Sequence, residues 1–175
     1  MSPLPAGFRF LLFFYLYDEN KPALRRSPNE NKMIHTHSRI WIHLIWTVKK
    51  RQKILNTKIG KELFSFLSQK ASEQKVGFEK LSIQPEHIHG LIDLPTNKSL
   101  SEFMHSIKGS SSRMLNTRFF KSNFSWQRGY GAYSVSASKL DSVSSYIANQ
   151  QEHHRIKSFE EEYQAWKLEY AVFDD

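Results

Sequence analysis

The sequence predicts an α+β fold, in which a ferredoxin-like antiparallel sheet has helices packed on one face and ends in a C-terminal helix that carries Tyr146. Short segments rich in β-branched and aromatic residues alternate with longer segments whose apolar residues recur at helical spacing. Their order is strand, helix, strand, strand, helix, strand, helix, which suits such a sheet. With 175 residues, the chain can form one domain with a sizeable core.

The first half of this pattern contains three strands and one helix. RIWIHLIWTV, residues 39–48, has the β-branched and aromatic content of a central strand. Residues 57–75 have apolar side chains at helical spacing and predict an amphipathic helix, which Gly77 is expected to end. FEKLSIQ, residues 78–84, and HIHGLIDL, residues 87–94, then predict the second and third strands.

The second half supplies two further helices and one strand. Ser99 can cap the second helix while Glu102 reaches back to it, a capping box. NFSWQRGYGAYSVSAS, residues 123–138, has the aromatic residues and glycines of a loop that leads into a short strand. The third helix is expected to open near Ser138 or Lys139 and to run through residue 154.

The N-terminal residues 1–32 are expected to be a disordered extension, and residues 33–175 a single domain. FRFLLFFYLY, residues 8–17, is too short to span a bilayer, and no small-residue cleavage site follows it. Residues 18–32 are polar and contain two prolines. The segment that begins at Met33 resembles the start of a domain.

Composition restricts the partners and the chemistry. The formal net charge of +8 favours a polyanionic partner, either nucleic acid or an anionic membrane surface. The chain has no cysteine, which excludes disulfides, zinc clusters of the cysteine type and thiol nucleophiles. The same absence is compatible with a reducing cytoplasm, the compartment we expect.

Two histidines stand one residue apart in the predicted third strand. His87 and His89 share a face because strand side chains alternate. Ile88, Ile92 and Leu94 would point into the helices, so the two imidazoles would project together from the open face of the sheet. They would then be close enough to bind one metal ion. A hydrogen-bonded or solvated pair without a metal is the other interpretation of this spacing.

A tyrosine and a glutamine occupy one face of the predicted third helix. Tyr146 and Gln150 are four residues apart, and either could serve only packing or solvation. A tyrosine hydroxyl is a poor nucleophile at neutral pH, but a metal that polarises a phosphate makes it useful in phosphoryl transfer. Two imidazoles and one amide oxygen would suit Mg²⁺ or Mn²⁺.

Four segments in this order carry a resemblance to a known family. They are HLIWTVKKRQKIL, PEHIHGLIDLP, LSEFMHSIKGSSSRMLN and WQRGYGAYSVSASKLDSVSSYIANQQEHH. They resemble the IS200/IS605-type transposases, which are single-tyrosine members of the HUH endonuclease superfamily. The resemblance extends from about Ile40 to Tyr170. It implies that His87 and His89 bind the metal, that Tyr146 is the catalytic tyrosine and that Gln150 is the third metal ligand.

The resemblance also implies a reaction and its partners. The tyrosine would attack a phosphate of single-stranded DNA, form a 5′-phosphotyrosine and release a 3′-OH, which could later reseal the DNA. The DNA would carry hairpin ends. The protein would be a homodimer in which the tyrosine helix can complete the partner's histidine site.

Basic residues in two places are candidates for phosphate binding. Lys49, Lys50, Arg51 and Lys53 lie in KKRQK at the end of the first strand, and the second helix carries Lys108 and Arg113. A solvated basic face is the alternative for any single one of them. Three aromatic residues could stack on bases: Trp126, Tyr130 and Tyr133. For Trp126, packing in the core is the favoured interpretation.

Three other functions are compatible with these residues. A domesticated relative could cleave palindromic repeats, or a related enzyme could nick DNA for replication. A catalytically silent nucleic-acid-binding protein would keep the basic surface without the chemistry. A metal-dependent hydrolase would use water and leave no covalent adduct with DNA.

Overall fold

The computed structural model describes residues 37–150, 152 and 159–169. The extension predicted for residues 1–32 lies outside this part of the chain. From Ser38 onward the chain belongs to one unit. Among the described residues, no helix has the length and apolar character that crossing a membrane requires.

The element order agrees with the prediction and adds one helix. Within the described residues, four strands, four α-helices and short helical turns follow one another: β1 (Trp41–Thr47), α1 (Thr57–Glu73), β2 (Phe78–Ile83), β3 (His87–Asp93), α2 (Leu100–Leu115), β4 (Gly131–Val135), α3 (Leu140–Ala148) and α4 (Phe159–Glu169). Helix α4 was not predicted. The α+β class and the antiparallel sheet are confirmed.

The sheet has the strand order β2-β3-β1-β4, with every neighbouring pair antiparallel. In the register of β1 with β3, Thr47 is opposite His87, Ile45 is opposite His89, and His43 is opposite Leu91. Residues directly opposite each other point to the same face of the sheet. This register therefore places a third histidine on the face that carries the predicted pair.

The opposite face of the sheet forms the main core with α1 and α2. Strands β1 and β3 contribute alternate apolar residues, and each helix contributes one apolar stripe. Burial of this surface is the main source of stability. The largest fully buried side chains here are Leu44, Trp46, Leu63, Leu67, Ile88, Ile92, Phe103, Met104, Ile107 and Leu115.

The predicted cap at the start of α2 is confirmed, whereas the predicted end of α1 is not. Ser99 caps α2 by accepting a hydrogen bond from the backbone N–H of Glu102 at 3.4 Å. Helix α1, however, ends at Glu73 and not near Gly77. Lys75 takes the left-handed conformation, with φ of 60°, so the chain turns before it reaches the glycine.

The third helix is interrupted at Asn149, where the prediction had it continuous. Helix α3 ends at Ala148, and Asn149 departs from helical geometry with φ of −98° and ψ of 16°. Asparagine stabilises a helix poorly because its side chain competes for backbone hydrogen bonds. Gln150 is helical again, while residues 151, 153 and 154 lie outside the described part of the chain.

Gly90 lies on β3, the strand that carries His87 and His89, and it tests how closely Phe78 packs against that strand. A Cβ at this position would lie 2.7 Å from Cε1 of Phe78, so the ring would have to move. We expect Gly90→Ala to lower the free energy of unfolding by about 1–3 kcal/mol, the usual cost of overpacking. Urea unfolding followed by circular dichroism measures it.

Gly109→Ala is the matched control for this substitution. Gly109 is on α2, and a Cβ there would meet nothing within 4 Å. Alanine should raise the free energy of unfolding by about 0.5–1 kcal/mol, because it favours the helix over glycine. Equal effects of the two alanines would contradict the close packing of Phe78 on Gly90.

Candidate metal and tyrosine site

His87 and His89 lie side by side on β3, as predicted, but the face that carries them is covered. Both side chains are 0% exposed. Their ring centroids are 4.9 Å apart, with the planes nearly perpendicular. The prediction of an open face is wrong, because α3 packs against β2 and β3 on this side. The two imidazoles are therefore shielded from bulk water. Electrostatic attraction between a metal ion and its ligands is stronger in such a site than in water.

Tyr146 is brought to the histidine pair by α3. The centroid of its ring is 5.7 Å from that of His89, with an interplanar angle of 88°. It lies 6.0 Å from the ring of His43 at 81°. These edge-to-face contacts fix the plane of the tyrosine ring. The structure thus places Tyr146 beside the histidines of its own chain.

His43 is a site residue that the sequence reasoning missed. Its Nε2 lies 3.0 Å from Nδ1 of His89, a buried hydrogen bond between two imidazoles. Burial lowers the pKa of His43 to about 4, so its ring is neutral at neutral pH. If Nδ1 of His89 donates to Nε2 of His43, then Nε2 of His89 retains a lone pair for a metal.

Gln150 is buried immediately after α3. It is 0% exposed, and neither its amide oxygen nor its amide nitrogen has a hydrogen-bond partner among the described residues. An amide buried without partners is costly and calls for an explanation. A cation bound by the amide oxygen would supply one.

Helix α4 contributes two further side chains that were not predicted. The ring of Phe159 stacks on that of His87, with 4.1 Å between centroids and an angle of 20°. Glu162 is 3% exposed, and burial raises the pKa of its carboxyl group to about 7. One carboxylate oxygen of Glu162 and one ring nitrogen each of His87 and His89 lie within 4.8 Å of one another.

These donors fit a divalent cation. Two imidazole nitrogens and a carboxylate oxygen converge, and the buried amide of Gln150, which has no hydrogen-bond partner within the described part of the chain, follows α3. Nitrogen and oxygen ligands together suit Mn²⁺, and also Mg²⁺ where oxygen predominates. The carboxylate of Glu86 is 3.6 Å from Nδ1 of His87, too far for a hydrogen bond but near enough to act electrostatically.

The predicted basic residues divide into exposed and engaged side chains. Lys49, Lys50, Lys53 and Arg113 are exposed. Arg51 forms an ion pair with Glu160, and its guanidinium lies over the rings of Phe159 and Tyr163, at 5.7 Å and 4.8 Å from their centroids.

Lys108 is held by the loop before β4. Its ammonium group donates to the backbone carbonyl of Gln127 at 2.9 Å and to that of Gly129. Partial burial lowers the pKa of Lys108. In the same loop, Trp126 is buried and donates from Nε1 to the hydroxyl of Ser111 at 3.0 Å, which confirms core packing for this tryptophan.

A cleft of about 680 Å³ opens at the end of β1. Its lining includes Thr47, which is directly opposite His87 in the sheet. Its lining contains both cationic and aromatic side chains, the combination that binds the backbone and bases of single-stranded nucleic acid. They are Lys50, Arg51, Arg128, Tyr130, Tyr133, Phe159 and Tyr163.

Comparison of the sequence with known proteins gives a consistent result. A family model for IS200-like transposases matches residues 36–150. The transposase TnpA of the element ISDra2 from Deinococcus radiodurans is 25% identical over 115 residues, 62% of this chain and 81% of that protein. The transposase of the insertion sequence IS200 from Salmonella typhimurium is 25% identical over 134 residues, 73% of this chain and 88% of that protein.

Two solved structures resemble the fold. One is a candidate transposase from Deinococcus radiodurans R1, with a TM-score of 0.57 and 23% identity, covering 69% of this chain and 98% of that one. The other is a REP-associated tyrosine transposase bound to a REP hairpin, with a TM-score of 0.53 and 16% identity, covering 71% and 73%. At these identities the likeness concerns the fold.

Proposed function

The chain belongs to the IS200-like transposase family, and from this we propose that it cleaves and rejoins single-stranded DNA through a 5′-phosphotyrosine on Tyr146. His87, His89 and Gln150 are the proposed metal ligands. The observation that carries the proposal is the edge-on contact between the rings of Tyr146 and His89. His89 in turn lies next to His87, and both belong to a buried cluster of side chains that could bind a metal.

The proposed reaction follows from these positions. The hydroxyl oxygen of Tyr146 attacks the phosphorus, the bond to the 3′ oxygen of the preceding nucleotide breaks, and a proton passes to the departing 3′ oxygen. A bound divalent ion would polarise the phosphate and offset the developing negative charge. Attack by a 3′-OH on the phosphotyrosine reverses the step and reseals the strand, so neither water nor a nucleotide is consumed.

The protein residues have separate tasks in this scheme. This scheme requires the tautomer in which Nδ1 of His89 donates to Nε2 of His43, because Nε2 of His89 is then available to the metal. The rings of His43 and His89 orient Tyr146. Their burial excludes water, which would otherwise compete for the phosphotyrosine.

A covalent-adduct assay tests the proposal. The protein is incubated with 5′-labelled and 3′-labelled single-stranded DNA from the ends flanking its gene, with Mg²⁺ or Mn²⁺, and then run on a denaturing gel. A protein–DNA band that retains the label 3′ of the cut is expected, because the 5′ phosphate stays on tyrosine. Cleavage without such a band would instead support a hydrolase that uses water.

We also propose that the DNA lies in the cleft at the end of β1. Lys50 and Arg128, which line this cleft, are proposed phosphate contacts inside it. The exposed Lys49, Lys53 and Arg113 are not part of its lining, and we propose that they contact DNA phosphates beyond the cleft. Arg51 and Lys108 would add positive charge and hold the surrounding segments. A structural relative is bound to a REP hairpin, and we propose a hairpin end as the duplex part of this substrate.

Removing charge from the cleft should weaken binding to all sequences alike. We expect the double variant Lys50→Gln and Arg128→Gln to bind single-stranded DNA more weakly and to flatten its salt dependence. The slope of log K against log salt should fall by roughly 0.7 for each DNA phosphate that the variant no longer neutralises. Fluorescence anisotropy at several salt concentrations measures this slope.

Lys98→Gln provides the matched control for that experiment. Lys98 is exposed just beyond β3, whose final residue Asp93 pairs with Trp41 at the opposite end of β1 from the cleft. Its substitution should leave the salt slope unchanged. A change confined to one DNA sequence in the cleft variant would instead indicate base readout.

A homodimer remains part of the proposal. The contact between Tyr146 and the histidines of the same chain is compatible with a site completed within one subunit. Mixing a Tyr146→Phe chain with a His87→Ala chain separates the two arrangements. Restored activity would mean that one subunit supplies the tyrosine to the other.

A further inference from the structure

Helix α4 makes contacts with the histidine pair that the proposed reaction does not use. Phe159 stacks on His87, and Glu162 follows three residues later, nearly one helical turn along α4. The side chain of Glu162 is almost completely buried. A glutamate is rarely buried to this extent unless it is paired or binds a metal.

The position of the carboxylate is specific. One of its oxygens lies within 4.8 Å of a ring nitrogen of His87 and of a ring nitrogen of His89. A cation placed among these three atoms would draw them together by a few tenths of an ångström, since imidazole and carboxylate ligands lie about 2.0–2.2 Å from transition-metal ions such as zinc. The neighbouring acids Glu160 and Glu161 are exposed, so α4 directs one carboxylate out of three toward the histidines.

The geometry points to Glu162 as an additional protein ligand of the divalent metal held by His87 and His89. This inference rests on the proposed function, because it assumes a metal at that pair. The metal would then join α4 to the sheet, and binding of the metal would stabilise the docked helix.

A second contact holds α4 without the metal. Arg51 pairs with Glu160 and covers the rings of Phe159 and Tyr163, all on the first and second turns of the helix. Removal of the Glu162 carboxylate therefore leaves these contacts in place. Substitution of Glu162 tests metal ligation, whereas substitution of Arg51 tests docking of the helix.

Titration of the full-length protein with Mn²⁺ by calorimetry, without DNA, measures the metal directly. We expect Glu162→Gln and Glu162→Ala to lower the affinity by about 10–100-fold. Glu161→Gln is the matched control, since it removes the same charge from the residue immediately before Glu162 on the same helix. Its affinity should remain that of the original chain, and the melting temperature of each metal-free variant confirms that it folds.

Hydrogen exchange gives an independent readout of the link between metal and helix. Mn²⁺ should slow exchange of the backbone amides of residues 159–169 in the original chain and in Glu161→Gln, but not in Glu162→Gln. Arg51→Gln should speed exchange of the same amides in the absence of metal and should also weaken Mn²⁺ binding.

The outcomes separate this inference from the proposed function. If the Glu162 variants bind Mn²⁺ like the original chain while His87→Ala does not, the histidine site stands and Glu162 is not a ligand. If His87→Ala also binds Mn²⁺ normally, the metal assignment of the proposed function fails as well.

Discussion

Tyr146→Phe is expected to abolish both cleavage and the covalent protein–DNA band while leaving DNA binding nearly unchanged. The substitution removes the one oxygen that the proposed reaction joins to phosphorus. Loss of a nucleophile lowers the rate by on the order of 10⁴-fold or more in comparable cases. The aromatic ring remains, so its edge-on contacts with His89 and His43 remain too. Gel analysis of the adduct and anisotropy with the same DNA measure the two effects.

Tyr133→Phe is the control for a hydroxyl in the same neighbourhood. Tyr133 lies on β4, lines the cleft, and has its ring 6.4 Å from that of His43. We expect this variant to form the adduct. If instead the adduct persists in Tyr146→Phe and disappears in Tyr133→Phe, the nucleophile is on β4, and the assignment of Tyr146 is wrong.

Strand β3, which carries His87 and His89, shows why much of the fold could be predicted. Alternation in HIHGLIDL depends only on the geometry of a strand, so Ile88 and Ile92 could be assigned to one face and His87 and His89 to the other. Helix ends depend on single residues and are harder to predict. Lys75 adopts a left-handed conformation that glycine usually takes, and so α1 ends before Gly77.

The missing parts of the candidate site depend on contacts between distant segments. His43 is in register with Leu91, and its hydrogen bond to His89 joins residues 46 positions apart. Alternation along β1 places His43 on one face, but only the strand order brings it to the pair. In FEEEYQAWKLE, three consecutive acids indicate a solvated helix. The local signal that singles out Glu162 as the buried acid is its spacing, three residues after Phe159 and four before Trp166, on the apolar side of the helix.

Arg51 illustrates the same difficulty for charged residues. Its place in KKRQK indicates a phosphate contact, whereas in the structure its guanidinium holds α4 through Glu160 and two aromatic rings. A run of basic residues predicts that the local electrostatic potential is positive, and the cleft is indeed lined by Lys50, Arg51 and Arg128. The run does not predict which of its residues forms an ion pair with an acidic residue of a later helix.

The second large effect is expected from the histidine pair. His87→Ala and His89→Ala should each reduce cleavage by on the order of 10³-fold or more, even with excess Mn²⁺, because the phosphate is no longer stabilised electrostatically. Each variant also removes a buried ring, which should lower the free energy of unfolding by about 1–3 kcal/mol. Assays should therefore be run well below each variant's melting temperature, with binding of the same DNA confirming an intact cleft.

His105→Ala separates this effect from a general dependence on imidazoles. His105 is exposed on α2, so its removal should alter neither cleavage nor the rise in melting temperature that Mn²⁺ produces. In His87→Ala and His89→Ala that rise should disappear, because one nitrogen ligand is missing from a small set. Normal cleavage by either variant would mean that the phosphate is activated elsewhere. Abolished cleavage with an undiminished Mn²⁺ shift would mean that the pair positions Tyr146 and does not bind the metal.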